Sequence, residues 1–160
     1  MEILSRCRLA LIVNGEHLLT RYLIIIILLL LLLPSYSARA GELEGLLSTC
    51  AAHTSDHVGQ SECLETKAST SEITLKSSES ALLESISKRD EEPDDIATMK
   101  KTLRAGTASF RVYRDKECEF YASMAAGGNA AGDLRLACTA TLNTKRAEQL
   151  QWATENWRRR

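Results

Sequence analysis

Two helical patterns meet at a glycine pair, and this junction constrains the fold more than any other feature. Before it, apolar and small residues recur at spacings of three and four, so they share one helix face that we expect to look inward. These residues are Leu103, Gly106, Phe110 and Tyr113. Gly127, Gly128 and Asn129 tolerate positive φ and predict the end of this helix. A four-residue spacing then resumes at Leu134, Cys138 and Leu142. The stretch therefore predicts a tight reversal between antiparallel helices.

The N-terminal pattern predicts a secretory signal peptide over residues 1–40. Basic residues precede an unbroken apolar run at positions 23–33, and Ala38 and Ala40 are small residues at the positions that a signal peptidase reads. We expect cleavage before Gly41 and export to the periplasm or the extracellular space. The run is about half of the roughly 20 apolar residues that a membrane span needs. An uncleaved anchor is the alternative.

The remaining residues 41–160 are long enough for one domain with a modest core, which we place at about residues 50–157. They carry 16 basic and 19 acidic residues, a net charge of −3. The basic side chains are dispersed, apart from a C-terminal run of three arginines. This composition argues against nucleic-acid binding. A mildly acidic protein could attract a cationic protein partner.

Three helical patterns cover these residues, and no strand-like alternation is present. The first runs from Leu64 to Ile86, the second begins near Asp94 and continues toward Met124, and the third begins near Ala131. For residues 41–49 we predict a short leader with one possible helical turn. For residues 50–63 we predict a polar, turn-rich segment. We therefore predict an all-α fold, a three-helix antiparallel bundle.

Four of the five cysteines follow the apolar run: Cys50, Cys63, Cys118 and Cys138. An even number in a small exported chain predicts a disulfide framework, for which three pairings are possible. Cys118 and Cys138 flank the predicted reversal, where an antiparallel helix pair could bring them within bridging distance. With His53 and His57, Cys50 and Cys63 also offer a tetrahedral zinc ligand set. Oxidation after export and the irregular ligand spacing favour a bridge instead, and we expect no metal and no cofactor.

The sequence around the reversal resembles the LprI-type lysozyme inhibitor family over about residues 103–150. The resemblance lies in the run Tyr113-Arg114-Asp115, the glycine pair, Arg146 and the flanking Cys118 and Cys138. It implies a small, secreted, helical, cysteine-bridged domain that binds a lysozyme. Within this reading we favour bridges between Cys50 and Cys63 and between Cys118 and Cys138. Each would close a loop of roughly 15 to 20 residues and stabilise the fold by about 3 kcal/mol.

Five residues form the expected structural motif: Phe110, Tyr113, Arg114, Asp115 and Arg146. Neighbours on a helix point about 100° apart, so Arg114 and Asp115 should not face each other. We expect each to pair with a neighbouring helix, Asp115 with Arg146.

The bridged turn is the candidate binding loop, because a loop on a rigid hairpin loses little entropy on contact. Its members are Lys116, Gly127, Gly128, Asn129 and Arg135. A basic side chain there, Lys116 or Arg135, could pair with a catalytic carboxylate of a lysozyme. We expect no catalytic residue in this chain, since both histidines after position 40 lie in one loop and no triad has positional support.

Two functions fit these expectations. The first is an exported inhibitor that blocks the cleft of a cationic cell-wall hydrolase sterically. The second is a noncatalytic envelope module that uses the same fold to bind another protein. Phe110 and Thr107 stand where the family usually shows Trp and Gln, which keeps the second open. The sequence leaves the oligomeric state undetermined.

Overall fold

The computed structural model describes Tyr22 and residues 38–157 of the chain. Four α-helices account for nearly all of residues 38–157. They are α1 (Ala38–Ala52), α2 (His57–Ser87), α3 (Pro93–Met124) and α4 (Asn129–Trp157). No strand occurs within these residues, and those from Ala40 onward belong to one compact unit. The all-α prediction is confirmed. The predicted apolar run at 23–33 and most of the predicted signal peptide lie outside the described residues.

The prediction of three helices is wrong, because a fourth helix, α1, precedes them. Its apolar side chains Leu43, Leu46 and Leu47 pack against a buried cluster formed by Cys50, Leu64 and Ala137. A 15-residue helix is marginal in isolation, and tertiary packing of its apolar face stabilises it. The short leader expected at 41–49 is therefore helical.

The helix boundaries follow local capping signals. α2 begins at His57 rather than at Leu64, because Asp56 occupies the N-cap and its carboxylate accepts a hydrogen bond from Gly59 N at 2.9 Å. α3 begins at Pro93, whose missing N–H costs nothing in a first turn. Asp94 and Asp95 follow in that turn, where negative charge is favourable.

Helix α4 is the central element of the bundle. It packs along α2 over much of its length and along α3 on another side, whereas α2 and α3 touch each other less. The three long helices have 31, 32 and 29 residues, so each is about 45 Å long. None of the described helices combines the length and the apolarity that crossing a membrane requires.

Two apolar clusters lie at different levels of the bundle, with polar side chains between them. One surrounds the Cys50 bridge near α1. The other contains Leu75, Leu82, Ile86, Ala147 and Leu150, with Leu103 and Phe110 of α3 packed against it. Ser71 and Asn143 are buried at the intervening level, and their hydrogen bonds keep this polar level satisfied. Two serines of α2, Ser71 and Ser78, therefore belong to the interior of the bundle.

Candidate functional site

The reversal between α3 and α4 is built from three consecutive residues with positive φ. These are Ala126 at 52°, Gly127 at 96° and Gly128 at 74°. α3 ends two residues earlier at Met124, and Asn129 is the first residue of α4 rather than part of the turn. No atom lies within 4 Å of a Cβ built on either glycine. The glycines are therefore needed for the positive φ of the backbone and not for close packing, and the turn is exposed to solvent.

A disulfide between Cys118 and Cys138 fastens this turn at its base. Both cysteines are buried, and their Cα atoms are 5.4 Å apart. The second bridge joins Cys50 of α1 to Cys63 of α2, with Cα atoms 5.7 Å apart. The bridges thus join the favoured partners and connect α1 to α2 and α3 to α4. The oxidised thiols of Cys50 and Cys63 cannot act as the thiolate ligands of the zinc alternative.

Arg114 is the centre of a hydrogen-bonded cluster between three helices. Its guanidinium donates to Glu72 of α2 at 2.8 Å and to Asn143 of α4 at 3.0 Å. It also donates to its neighbour Asp115, with contacts of 3.0 and 2.8 Å. Asn143, fully buried, donates in turn to Ser71 and Glu72. Arg111 pairs with Glu79 of α2 at 2.9 Å and extends the polar level along α3.

The expected pairing of Asp115 with Arg146 is wrong. Asp115 is bound by Arg114 because the long arginine side chain turns back across the 100° that separates the two Cα–Cβ directions. Arg146 instead lies over the ring of Phe110, with its guanidinium carbon 5.8 Å from the ring centroid, and donates to Gln149 at 3.3 Å. A cation–π contact thus replaces the expected ion pair.

Tyr113 and Gly106 do not share the buried face of α3 with Leu103 and Phe110, contrary to the sequence prediction. Tyr113 is 46% exposed, and Gly106 is exposed as well. The inward face of α3 passes through Arg114 and reaches Cys118 and Ala122. The spacing of apolar residues places Tyr113 in the core, because such spacing does not identify an arginine that replaces an apolar side chain in the interior.

The two basic residues of the candidate loop differ in their contacts. Arg135, near the start of α4, donates twice to Glu119 of α3, at 3.1 and 2.8 Å. Lys116 is exposed and makes no hydrogen bond or ion pair to any residue that the structure describes. Of the two candidates, Lys116 is therefore the one that can pair with an outside carboxylate without first breaking an internal contact.

Comparison with known proteins shows the family. The family model "Lysozyme inhibitor LprI" matches residues 50–150, which include both bridges, the Arg114 cluster and the glycine turn. The chain belongs to this LprI family. The match extends the resemblance found at 103–150 toward the N-terminus as far as Cys50. No curated protein matches the chain, and no solved structure does.

Two features of this LprI-family chain escaped the sequence reading. His57, the first residue of α2, contacts the buried Asp133 of α4 with Nε2 2.8 Å from Oδ2. The pair connects the starts of two helices 76 residues apart, a distance in sequence that no local pattern reveals. The Asp56 cap was readable, because Asp before an apolar helical pattern is an N-cap signal. No cluster of three metal-ligating side chains occurs in the described part of the chain.

A groove of about 410 Å³ lies between α1, α2 and α4 of this LprI-family chain, away from the glycine turn. Threonines from α2 and α4 line it, among them Thr70, Thr74 and Thr141. Lys145 reaches across it to Glu42 of α1. The ion pair fastens α1 to α4, so the groove walls are held by internal contacts.

Proposed function

We propose that this protein is an exported inhibitor that binds a lysozyme and blocks its cleft sterically. The observation that carries the proposal is the match of the lysozyme-inhibitor family model over residues 50–150. The two disulfides within that range are typical of proteins that fold in an oxidising compartment outside the cytosol. The route of export through a signal peptide ending at position 40 belongs to the same proposal.

The end of the bundle at the glycine turn is suited to such blocking. A buried disulfide holds α3 and α4 together just behind the turn, so contact with a partner costs little conformational entropy. Lys116 is exposed on α3, eight residues before the helix ends at Met124. In a lysozyme cleft, which uses a pair of carboxylates, Lys116 would pair with one of them while the turn excludes substrate. The net charge of −3 over residues 41–160 favours encounter with a cationic enzyme.

A competition experiment tests whether binding takes place at the cleft. An animal-type lysozyme is loaded with a labelled N-acetylglucosamine oligosaccharide, and oxidised protein spanning residues 41–160 is titrated in. Cleft blocking predicts full displacement of the sugar. Lysozyme binding without displacement would contradict steric blocking. No binding by folded protein would contradict the inhibitor function and favour the envelope-module alternative.

A further inference from the structure

An uncovered apolar stripe runs along the C-terminal half of α3. Its members Tyr113, Phe120 and Met124 are 46%, 57% and 57% exposed. They recur at spacings of seven and four, and Glu117 lies between them four residues after Tyr113. At 100° per residue these four positions occupy an arc of about 60° on the helix. We call this set the α3 stripe. Grouped apolar side chains on a surface mark interaction sites more often than single ones do.

The α3 stripe contains one carboxylate without a partner. Two neighbouring acidic side chains are bound internally, Asp115 by Arg114 and Glu119 by Arg135. Glu117 is half-buried and makes no hydrogen bond or ion pair within the described residues. A half-buried carboxylate among apolar side chains gains most from a partner that brings a positive charge.

The α3 stripe is also rigid and continuous with the glycine turn. Met124 is the last residue of α3, and Cys118, on the inward face of the same helix, is bridged to α4. The ring of Phe120 lies edge-on to that of Tyr121, with centroids 5.8 Å apart and planes at 65°. Such a contact restricts the ring before any partner arrives, which reduces the entropy lost on binding.

We propose that the α3 stripe is the surface by which this protein docks on a cationic lysozyme, an inference that rests on the proposed function. An exposed helix face with anchors one and two turns apart fits a groove such as an enzyme cleft. Phe120 and Tyr113 supply aromatic anchors of the kind that dominate binding energies. Glu117 pairs with a basic side chain at the edge of the groove, and the adjoining turn excludes substrate.

The test compares the affinity of an animal-type lysozyme for four forms of oxidised protein spanning residues 41–160. Phe120→Glu places a charge in the middle of the α3 stripe, and we expect it to weaken binding about tenfold or more. Glu117→Gln should weaken binding about threefold at low salt and hardly at all at 0.5 M salt, as for a screened ion pair. Trp152→Glu is the matched control, since Trp152 is an aromatic of α4 that is 63% exposed. It should bind as the parent does.

Each outcome decides between the two proposals. Circular dichroism first establishes that all forms have the same helix content and thermal midpoint. If the parent binds and Phe120→Glu binds equally well, the α3 stripe is the wrong surface and the inhibitor function stands. If the folded parent fails to bind, the inhibitor function fails and the docking inference falls with it. If light scattering shows a parent dimer that Phe120→Glu dissociates without loss of lysozyme affinity, the stripe joins two copies of this chain and the inference is overturned.

Discussion

Arg114 links α3 to both of its neighbours through hydrogen bonds to Glu72 and Asn143. Its side chain is only 13% exposed. Truncation by Arg114→Ala would leave the buried Asn143 Oδ1 without its donor. Glu72 would keep the hydrogen bond from Asn143 at 3.1 Å and the longer contacts to Lys76 and Arg111, at 3.6 and 3.9 Å. We expect the free energy of unfolding to fall by about 2 to 3 kcal/mol, measured by urea denaturation.

Asp115→Ala is the control for this cluster. It removes a carboxylate that touches the same guanidinium but is 67% exposed, so the expected change is within about 0.5 kcal/mol. Equal losses from Arg114→Ala and Asp115→Ala would contradict the view that the interior contacts of Arg114 carry its stabilising effect.

Arg114 also shows the limit of periodicity at the scale of one residue. Leu103 and Phe110 of the predicted inward face do pack against the core, because burial of apolar side chains is what periodicity detects. Tyr113 is exposed, contrary to that prediction, whereas Arg114 pairs with the neighbouring helices as expected. The guanidinium is buried because acceptors from α2 and α4 surround it, and those acceptors lie 42 and 29 residues away in sequence.

Among the single elements, the glycine turn requires positive φ at its glycines, whereas a glycine inside a helix has the ordinary helical backbone conformation. Gly127 has φ of 96°, whereas Gly132 lies within α4, and a Cβ on either meets no atom within 4 Å. Gly127→Ala should therefore destabilise the protein by about 1 kcal/mol through backbone strain. Gly132→Ala should stabilise it by roughly 0.5 to 1 kcal/mol, because alanine is the better helix former.

Thermal or urea unfolding of the two variants beside the parent checks this prediction. The substitutions are chemically identical and neither fills occupied space, so only the backbone conformation separates them. The same sign of change in both variants would show that the turn does not hold Gly127 at positive φ in solution.

Helix boundaries were predictable where capping chemistry is local. The start of α3 at Pro93 and the break at the glycine pair were both found, because proline, acidic residues and glycine act within one turn. Apolar spacing alone places the start of α2 seven residues late, at Leu64, because it does not detect the N-cap Asp56 before His57. Sequence spacing predicts only one turn of α1. The full helix is stabilised by packing on Leu64 and Ala137, and such tertiary contacts are not visible in the spacing of residues.

In the whole molecule, each disulfide joins a different pair of helices: one connects α1 to α2 and the other connects α3 to α4. Removing the Cys118–Cys138 bridge by the double substitution Cys118→Ala and Cys138→Ala frees a loop of 20 residues. We expect the free energy of unfolding to fall by about 3 kcal/mol, visible as a lower urea midpoint. Glu119→Ala, which breaks only the exposed contact to Arg135 nearby, should change it by less than about 1 kcal/mol. A midpoint unchanged by loss of the bridge would show that packing alone holds α3 to α4.

The fold class and the reversal could be read from the sequence, because each depends on residue type and short spacing. The partners of both bridges were favoured within the family resemblance, and the structure joins those partners. The packing of α2 and α3 around α4 could not be read from the sequence. It follows from the polar level at Asn143, Ser71 and Glu72, whose hydrogen bonds span more than 70 residues. The candidate loop residues were proposed from their place beside the turn, and their role in binding stays a prediction.

Lysis of a bacterial cell-wall suspension measures directly whether the bridged bundle inhibits lysozyme. Oxidised protein spanning residues 41–160 is added in increasing amounts to an animal-type lysozyme, with reduced and alkylated protein as the control. If the bundle is an inhibitor, we expect dose-dependent inhibition by the oxidised protein and loss of that inhibition after reduction. Undiminished lysis in the presence of folded, fully oxidised protein would contradict it.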